Sequence, residues 1–236
     1  VAMGDAGYDE VAEAYDAWVD QQPDRTLLDL IGPVAGLEVL SLACGQGRDA
    51  RMVARAGATV TGVDTSAKLV DLARRHEAGA ALGIRYLLGD AQTLDEVPDA
   101  SFDGVVCHMA LMDIPDLGAT LGTVRRVLRP HGWFVCSINH PCFKPPRAGE
   151  LLDHRDGSVQ RVVGQYFTEG EVPAPQRSHD ALPPTTHHRT LSTYLNGLAD
   201  AGLSLVAAAE PAGAADRPVW HSVPCLLYLR CAAVPR

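Results

Sequence analysis

Five short apolar, β-rich runs, Glu38–Leu42, Thr59–Val63, Ile84–Leu88, Gly104–Cys107 and Trp133–Ile138, alternate with helical stretches at about 50–56, 67–78 and 117–128. Strands joined through helices run parallel, because each helix carries the chain back to the edge it started from. The helices then cover both faces of the sheet. Upstream, apolar residues at helical spacing (Val11, Tyr15, Trp18, Val19) predict an amphipathic helix from Tyr8 to Gln22, and a second from Asp24 to Ile31. Downstream, the segment from Pro141 to Thr186 breaks the rhythm with Pro, Gly and charge (PCFKPPRAGE, EVPAPQ, ALPPTT). It holds one strand pattern, around Val159 to Phe167. The α/β pattern then resumes with a helix from Leu191 to Ala201, stopped at Gly202, and two strand candidates, Leu203–Ala208 and Pro224–Ala232. Residues 141–186 therefore read as an insertion, and residues 1–236 as a single domain with a helical segment over 1–32.

With 236 residues, 47% of them hydrophobic, such a domain can bury an adequate core. Its 29 acidic against 20 basic residues repel phosphate backbones and anionic lipid, so neither nucleic acid nor a membrane surface is expected as a partner. The six cysteines lie mostly in apolar runs of a chain too long to need a disulfide framework, and read as reduced thiols of a cytoplasmic protein. No secretory signal pattern and no apolar run long enough to span a bilayer is present.

The first strand runs into a glycine turn, LSLACGQGRDA at 41–51, whose spacing Gly45-x-Gly47-x-x-Ala50 fits a dinucleotide fingerprint. A dinucleotide would place its pyrophosphate at the following helix N-terminus, where Asp49 opposes it. The same carboxylate is compatible with a ligand that carries a sulfonium and an ammonium. Asp64 ends the second strand and can accept both hydroxyls of a ribose. Asp90, with Ala91, ends the third, where a carboxylate accepts from an adenine amino group and the next backbone N–H donates to the ring. Three strand ends converge on one adenosyl ligand.

On these residues the chain resembles the class I S-adenosylmethionine-dependent methyltransferases, in particular their small-molecule (methyltransferase type 11-like) group. The likeness runs through YDEVAEAYD, VLSLACGQGR, VTGVDTS, GDAQTL, FDGVVCHMALMDIPD, VLRPHGWFVCSINHPCF and HHRTLSTYLNGLADAGL. It implies a Rossmann-like, mostly parallel seven-stranded sheet of order 3-2-1-4-5-7-6, strand seven antiparallel, with S-adenosylmethionine across the tips of strands one to four. It also implies a cofactor site built from Tyr15, Ala43, Gly45, Gly47, Asp64, Thr65, Asp90, Ala91, His108 and Met109. In it the two glycines admit the methionine part, and Tyr15 of the N-terminal helical lid closes over its carboxylate. The chain departs from the family's usual pattern at Ser41, where an acidic residue is common, at Ala43, commonly Gly, and at Thr65, commonly a larger apolar residue.

The implied reaction is metal-free, in-line methyl transfer to an oxygen, nitrogen or carbon of a small molecule. The alternatives are an NAD(P)-dependent oxidoreductase using the same turn and a non-catalytic adenosyl-binding module. His140, just past the fifth strand, is the candidate general base or acceptor-orienting group. Phe143, Tyr166 and Phe167 are candidate acceptor walls within an insertion that caps the acceptor side. His187 and His188 either cap that pocket or, with Arg189, cap the helix starting near Thr190. A nucleophilic Cys142 would need a positive surrounding. Cys136, His140, Cys142, His187 and His188 match no closed zinc spacing.

Overall fold

The computed structural model describes residues 7–19, 24–152, 158–173, 185–213 and 218–234. Its frame is a seven-stranded sheet made of β1 (Glu38–Leu42), β2 (Thr59–Asp64), β3 (Arg85–Leu88), β4 (Phe102–His108), β5 (Leu128–Asn139), β10 (Leu203–Ala209) and β11 (Leu226–Ala233). The strand order is β10-β11-β5-β4-β1-β2-β3. β1 pairs in parallel with β2 and β4, β2 with β3, and β4 with β5, whereas β11 runs antiparallel to both β5 and β10. This is the expected order, with β10 and β11 standing sixth and seventh.

Neighbouring strand residues feed opposite cores, as a doubly covered pleated sheet requires. Val39, Val106 and Val135 pack on one face with Leu27 and Ile31 of α2 (Arg25–Ile31), Val53 of α3 (Arg48–Arg55) and Val70 of α4 (Ala67–Ala80). Leu40, Val105, Phe134 and Cys136 pack on the other with Leu121 and Val124 of α5 (Leu117–Val127) and Tyr194 and Leu198 of α6 (Leu191–Asp200). Side chains cap four of these five helices at their starts. Asp24 accepts from Leu27 N–H, Ser66 from Leu69, Asp116 from Ala119 and Thr190 from Thr193.

Three expectations need adjustment. β5 starts at Leu128, five residues before Trp133, because Phe102 already pairs with Leu128 and an irregularity absorbs the Pro130–Gly132 stretch before pairing resumes at Gly104 and Trp133. The insertion holds more than one strand: β6 (Arg147–Leu152) pairs antiparallel with β7 (Val159–Gly164), and β8 (Gly170–Pro173) with β9 (Thr185–His188). These strands lack apolar alternation because they lie on the surface, so periodicity carries little trace of them. The N-terminal helix α1 is described over Tyr8–Trp18; Gln21 and Gln22 lie outside the described residues, as do the central residues 174–184 of the insertion. A short helix, α7 (Pro218–Ser222), had no sequence signal.

Candidate active site

A cleft of about 680 Å³, open to solvent at its mouth, lies beyond the carboxyl ends of β1 to β4. Its position follows from the topology, since β2 and β4 flank β1 on opposite sides and their outgoing connections separate there. Of the ten expected cofactor residues, Tyr15, Ala43, Gly45, Asp64, Thr65, Asp90, Ala91, His108 and Met109 line it.

Gly47 does not line the cleft. A Cβ there would fall 2.4 Å from the Tyr86 hydroxyl, and Tyr86 also lies over Gly62, where a Cβ would come within 2.7 Å of its ring. The second glycine therefore serves packing between β3 and the turn, and its φ of 85° begins α3. Gly45 has the open side: a Cβ there would meet Tyr15 Cε1 at 3.5 Å, so the ring of the N-terminal helix rests on the turn. Ala43 takes a φ of 50°, a left-handed conformation that costs an alanine about 1 kcal/mol and that glycine would adopt freely.

Asp64 is anchored from two elements, accepting from Gly45 N–H at 2.7 Å and from Ser66 N–H at 2.9 Å. Asp90 accepts from the backbone N–H of Gln92 at 2.8 Å and from its side-chain amide at 3.0 Å; Gln92 Oε1 accepts from Asp116 N–H. These bonds fix both carboxylates at their strand tips. The Thr65 hydroxyl is buried in the cleft wall with no hydrogen-bond partner among the described residues. That leaves polar capacity for a ligand, in keeping with an adenosyl group here.

His108 closes the far wall. Ser137 Oγ accepts from Met109 N–H at 3.1 Å and lies within hydrogen-bond distance, 2.6 Å, of His108 Nδ1. Burial holds the His108 imidazole below the usual histidine range, so it stands neutral. Its Nε2 is 3.8 Å from Asp24 Oδ2, which accepts the Tyr228 phenol at 2.7 Å.

The N-terminal helix is tied down at several points. Asp9 accepts from Ser66 Oγ and Lys68 N–H, Asp16 pairs with His76 at 2.9 Å, and Tyr8 and Tyr15 stack edge to face with centroids 5.4 Å apart. Tyr8 donates to Asp113 at 2.9 Å. Asp113 lines the cleft, yet periodicity and strand-tip reasoning both passed it over, because it lies five residues past β4 in a loop. The one signal was a lone acidic residue inside the apolar stretch ALMDIP.

The expected acceptor residues lie elsewhere. His140 is buried and does not line the cleft. Its Nε2 is 2.6 Å from Glu210 Oε1 and its Nδ1 accepts from Cys142 N–H, so both nitrogens are engaged and the ring braces the exit of β5. Phe143 packs on that ring at 4.8 Å. Tyr166 accepts from Leu191 N–H at the start of α6, and His188 Nε2 donates to the Tyr166 carbonyl. Phe167 is 87% exposed. His187 donates its backbone N–H to Met112. None of these six lines the cleft. Arg189 donates to the carbonyls of Leu111, Ile114 and Pro115, holding the loop that carries Asp113. No cluster of three metal-ligating side chains occurs among the described residues.

The family described as a methyltransferase domain matches residues 40–136, from β1 to the middle of β5. A solved structure of an S-adenosylmethionine-dependent methyltransferase from Mesorhizobium loti superposes with a TM-score of 0.75 at 29% identity, covering 88% of this chain and 96% of that one. An uncharacterized protein of Haemophilus influenzae is 28% identical over 225 residues, 89% of this chain and 87% of its own. A ubiquinone biosynthesis O-methyltransferase of Paracidovorax citrulli is 38% identical over 115 residues, so this chain spans about half the length of that relative (48% of each). The oxidoreductase alternative gains nothing from these likenesses. With the strand order, the anchored carboxylates and the family match in agreement, residues 40–136 form a methyltransferase domain within the fold of the class I S-adenosylmethionine-dependent methyltransferases.

Proposed function

We propose that this enzyme transfers a methyl group from S-adenosylmethionine to a small-molecule acceptor by in-line displacement. In this reading the methionine part lies against Ala43, Gly45 and Tyr15, the ribose at Asp64, and the adenine between Thr65, Asp90 and Ala91. The observation that carries it is the meeting, in one cleft, of two strand-tip carboxylates held by backbone N–H groups. S-adenosylmethionine supplies an activated methyl. The chain's part is to orient the acceptor and exclude water, which contributes on the order of 7–11 kcal/mol when alignment is good.

The domain reading follows the same lines: one domain, with residues 1–32 as lid and 141–186 as acceptor-side cap. The lid is supported by the contacts of Tyr8 and Tyr15, and the cap by the bond of Thr186 to Asp113 in the cleft wall. Six free thiols agree with a cytoplasmic setting. No helix among the described residues is long and apolar enough to cross a membrane.

Scanning calorimetry with S-adenosylhomocysteine and with NAD tests the assignment. At a hundredfold excess over Kd the former should stabilise the fold by about 2.7 kcal/mol. A shift with NAD alone would sink it.

A further inference from the structure

Three carboxylates line the cleft, and the cofactor accounts for two of them, Asp64 and Asp90. The third, Asp113, is the meeting point of the two covering elements: Tyr8 of α1 donates to its Oδ2 at 2.9 Å, and Thr186 of β9 to its Oδ1 at 3.0 Å. A carboxylate offers about four lone-pair directions, so each oxygen keeps one for a ligand. No lysine or arginine lines the cleft among the described residues, and the rings of Tyr8 and Tyr15 flank the same space. A carboxylate beside two phenol rings is a surrounding that holds an ammonium and repels an anion.

We propose that Asp113 faces the transferred methyl as an acceptor-binding and proton-accepting residue, and that the acceptor is an amine. This deepens the methyltransferase reading and rests on it. The amine arrives as an ammonium paired with Asp113 and gives its proton to the carboxylate. Its freed lone pair then forms the bond to the methyl carbon while the carbon–sulfur bond breaks, the pair staying on sulfur. The sulfonium charge nearby lowers the ammonium's own pKa and eases the transfer.

The surroundings suit the role. Burial pushes the Asp113 carboxyl up to about 6, against the two hydrogen bonds and Arg189, which act in the other direction. A carboxylate so placed is ionised near neutrality and binds a proton more readily than an ordinary aspartate. Of the other groups that interact with it, Tyr8, Tyr15, Cys107 and Tyr194 are all pushed up by burial, so none of these four ionises below pH 8. Asp64, across the cleft, is held by the two N–H groups described above.

The test needs no known acceptor. S-adenosylmethionine and S-adenosylhomocysteine differ by one methyl and one positive charge, so a carboxylate facing that methyl favours the former only when ionised. The affinity ratio of the two, measured by calorimetry, should rise on the order of tenfold between pH 5 and pH 8. Asp113→Asn should remove the rise. Tyr8→Phe, which deletes a donor that lowers the pKa, should move its midpoint to higher pH. An unaltered profile in Asp113→Asn would overturn the assignment, as would an unmoved midpoint in Tyr8→Phe if the Asn variant does not fold. Failure of both compounds to bind the unmodified enzyme would instead bring down the methyltransferase reading, and this assignment with it. For the acceptor class, 2-phenylethylamine and phenylacetate are matched probes of the homocysteine complex. The amine should raise its melting temperature in the unmodified enzyme and not in Asp113→Asn. A shift with the acid, or with neither, would overturn the amine.

Discussion

The cofactor cleft and the inserted segment stand side by side, and they are built by different means. In the cleft, Asp64 and Asp90 are placed by the ends of β2 and β3, and backbone N–H groups of neighbouring residues hold them. In and beside the insertion, Tyr166 is placed by Leu191 N–H, His188 by the Tyr166 carbonyl and His140 by the Glu210 carboxylate, all partners far along the chain. Strand ends are set by hydrophobic pattern, so a side chain's address there is nearly its position in sequence. A two-stranded ladder on the surface obeys no such rule, and its residues acquire roles only once the chain has closed on itself.

Gly47 gives the sharpest way to break that contrast. If the second glycine of the turn serves packing, then Gly47→Ala acts through stability and not through the ligand. The substitution would put a side chain at a φ of 85° and 2.4 Å from the Tyr86 hydroxyl. Left-handed strain and overpacking together cost about 2–4 kcal/mol. Chemical denaturation should show that loss, and the fraction that remains folded should bind S-adenosylhomocysteine within about threefold of the parent. A stable variant with lost affinity would return Gly47 to the ligand-lining set.

Asp64→Ala probes the other side of the comparison. The side chain holds Gly45 N–H and Ser66 N–H in the free protein and is assigned to the ribose. Charge-assisted hydrogen bonds are worth about 1.5–3 kcal/mol, so the dissociation constant of S-adenosylhomocysteine should rise tenfold or more. An unchanged calorimetric affinity would remove this carboxylate from the cofactor.

These cases also mark how far the sequence carries. The order of the sheet and the glycine turn followed from strand runs, strand tips and the family likeness, and nine of the ten residues expected around the cofactor line one cleft. Gly47 was misplaced because the fingerprint states a spacing and says nothing of Tyr86, which arrives from 39 residues downstream. The bond of His140 to Glu210 was not legible, because that partner lies 70 residues away at the end of β10 and no local pattern joins the two. Asp113 escaped notice for a related reason. Its donors come from α1 and β9, 105 residues before it and 73 after it.

Tyr166→Phe carries the smallest expected effect and separates a brace from a pocket wall. The Tyr166 hydroxyl accepts from Leu191 N–H at 2.9 Å, one of the donors that a helix start leaves without an internal partner, and it lies 4.0 Å from Cys142 Sγ. Thr190 already caps the same helix through Thr193, so the tyrosine supplements a cap and does not replace one. Its removal should therefore cost about 0.5–1.5 kcal/mol, the net worth of one hydrogen bond. The ring remains, and with it the edge contact to Phe167 at 5.0 Å. Affinity for S-adenosylhomocysteine should stay within twofold, because no atom of Tyr166 lines the cleft. If the melting temperature holds while methyl transfer to an identified acceptor falls severalfold, the hydroxyl reaches the acceptor in the closed enzyme. The insertion then contributes chemistry as well as support, and the contrast between the two regions would be one of conformation rather than of construction.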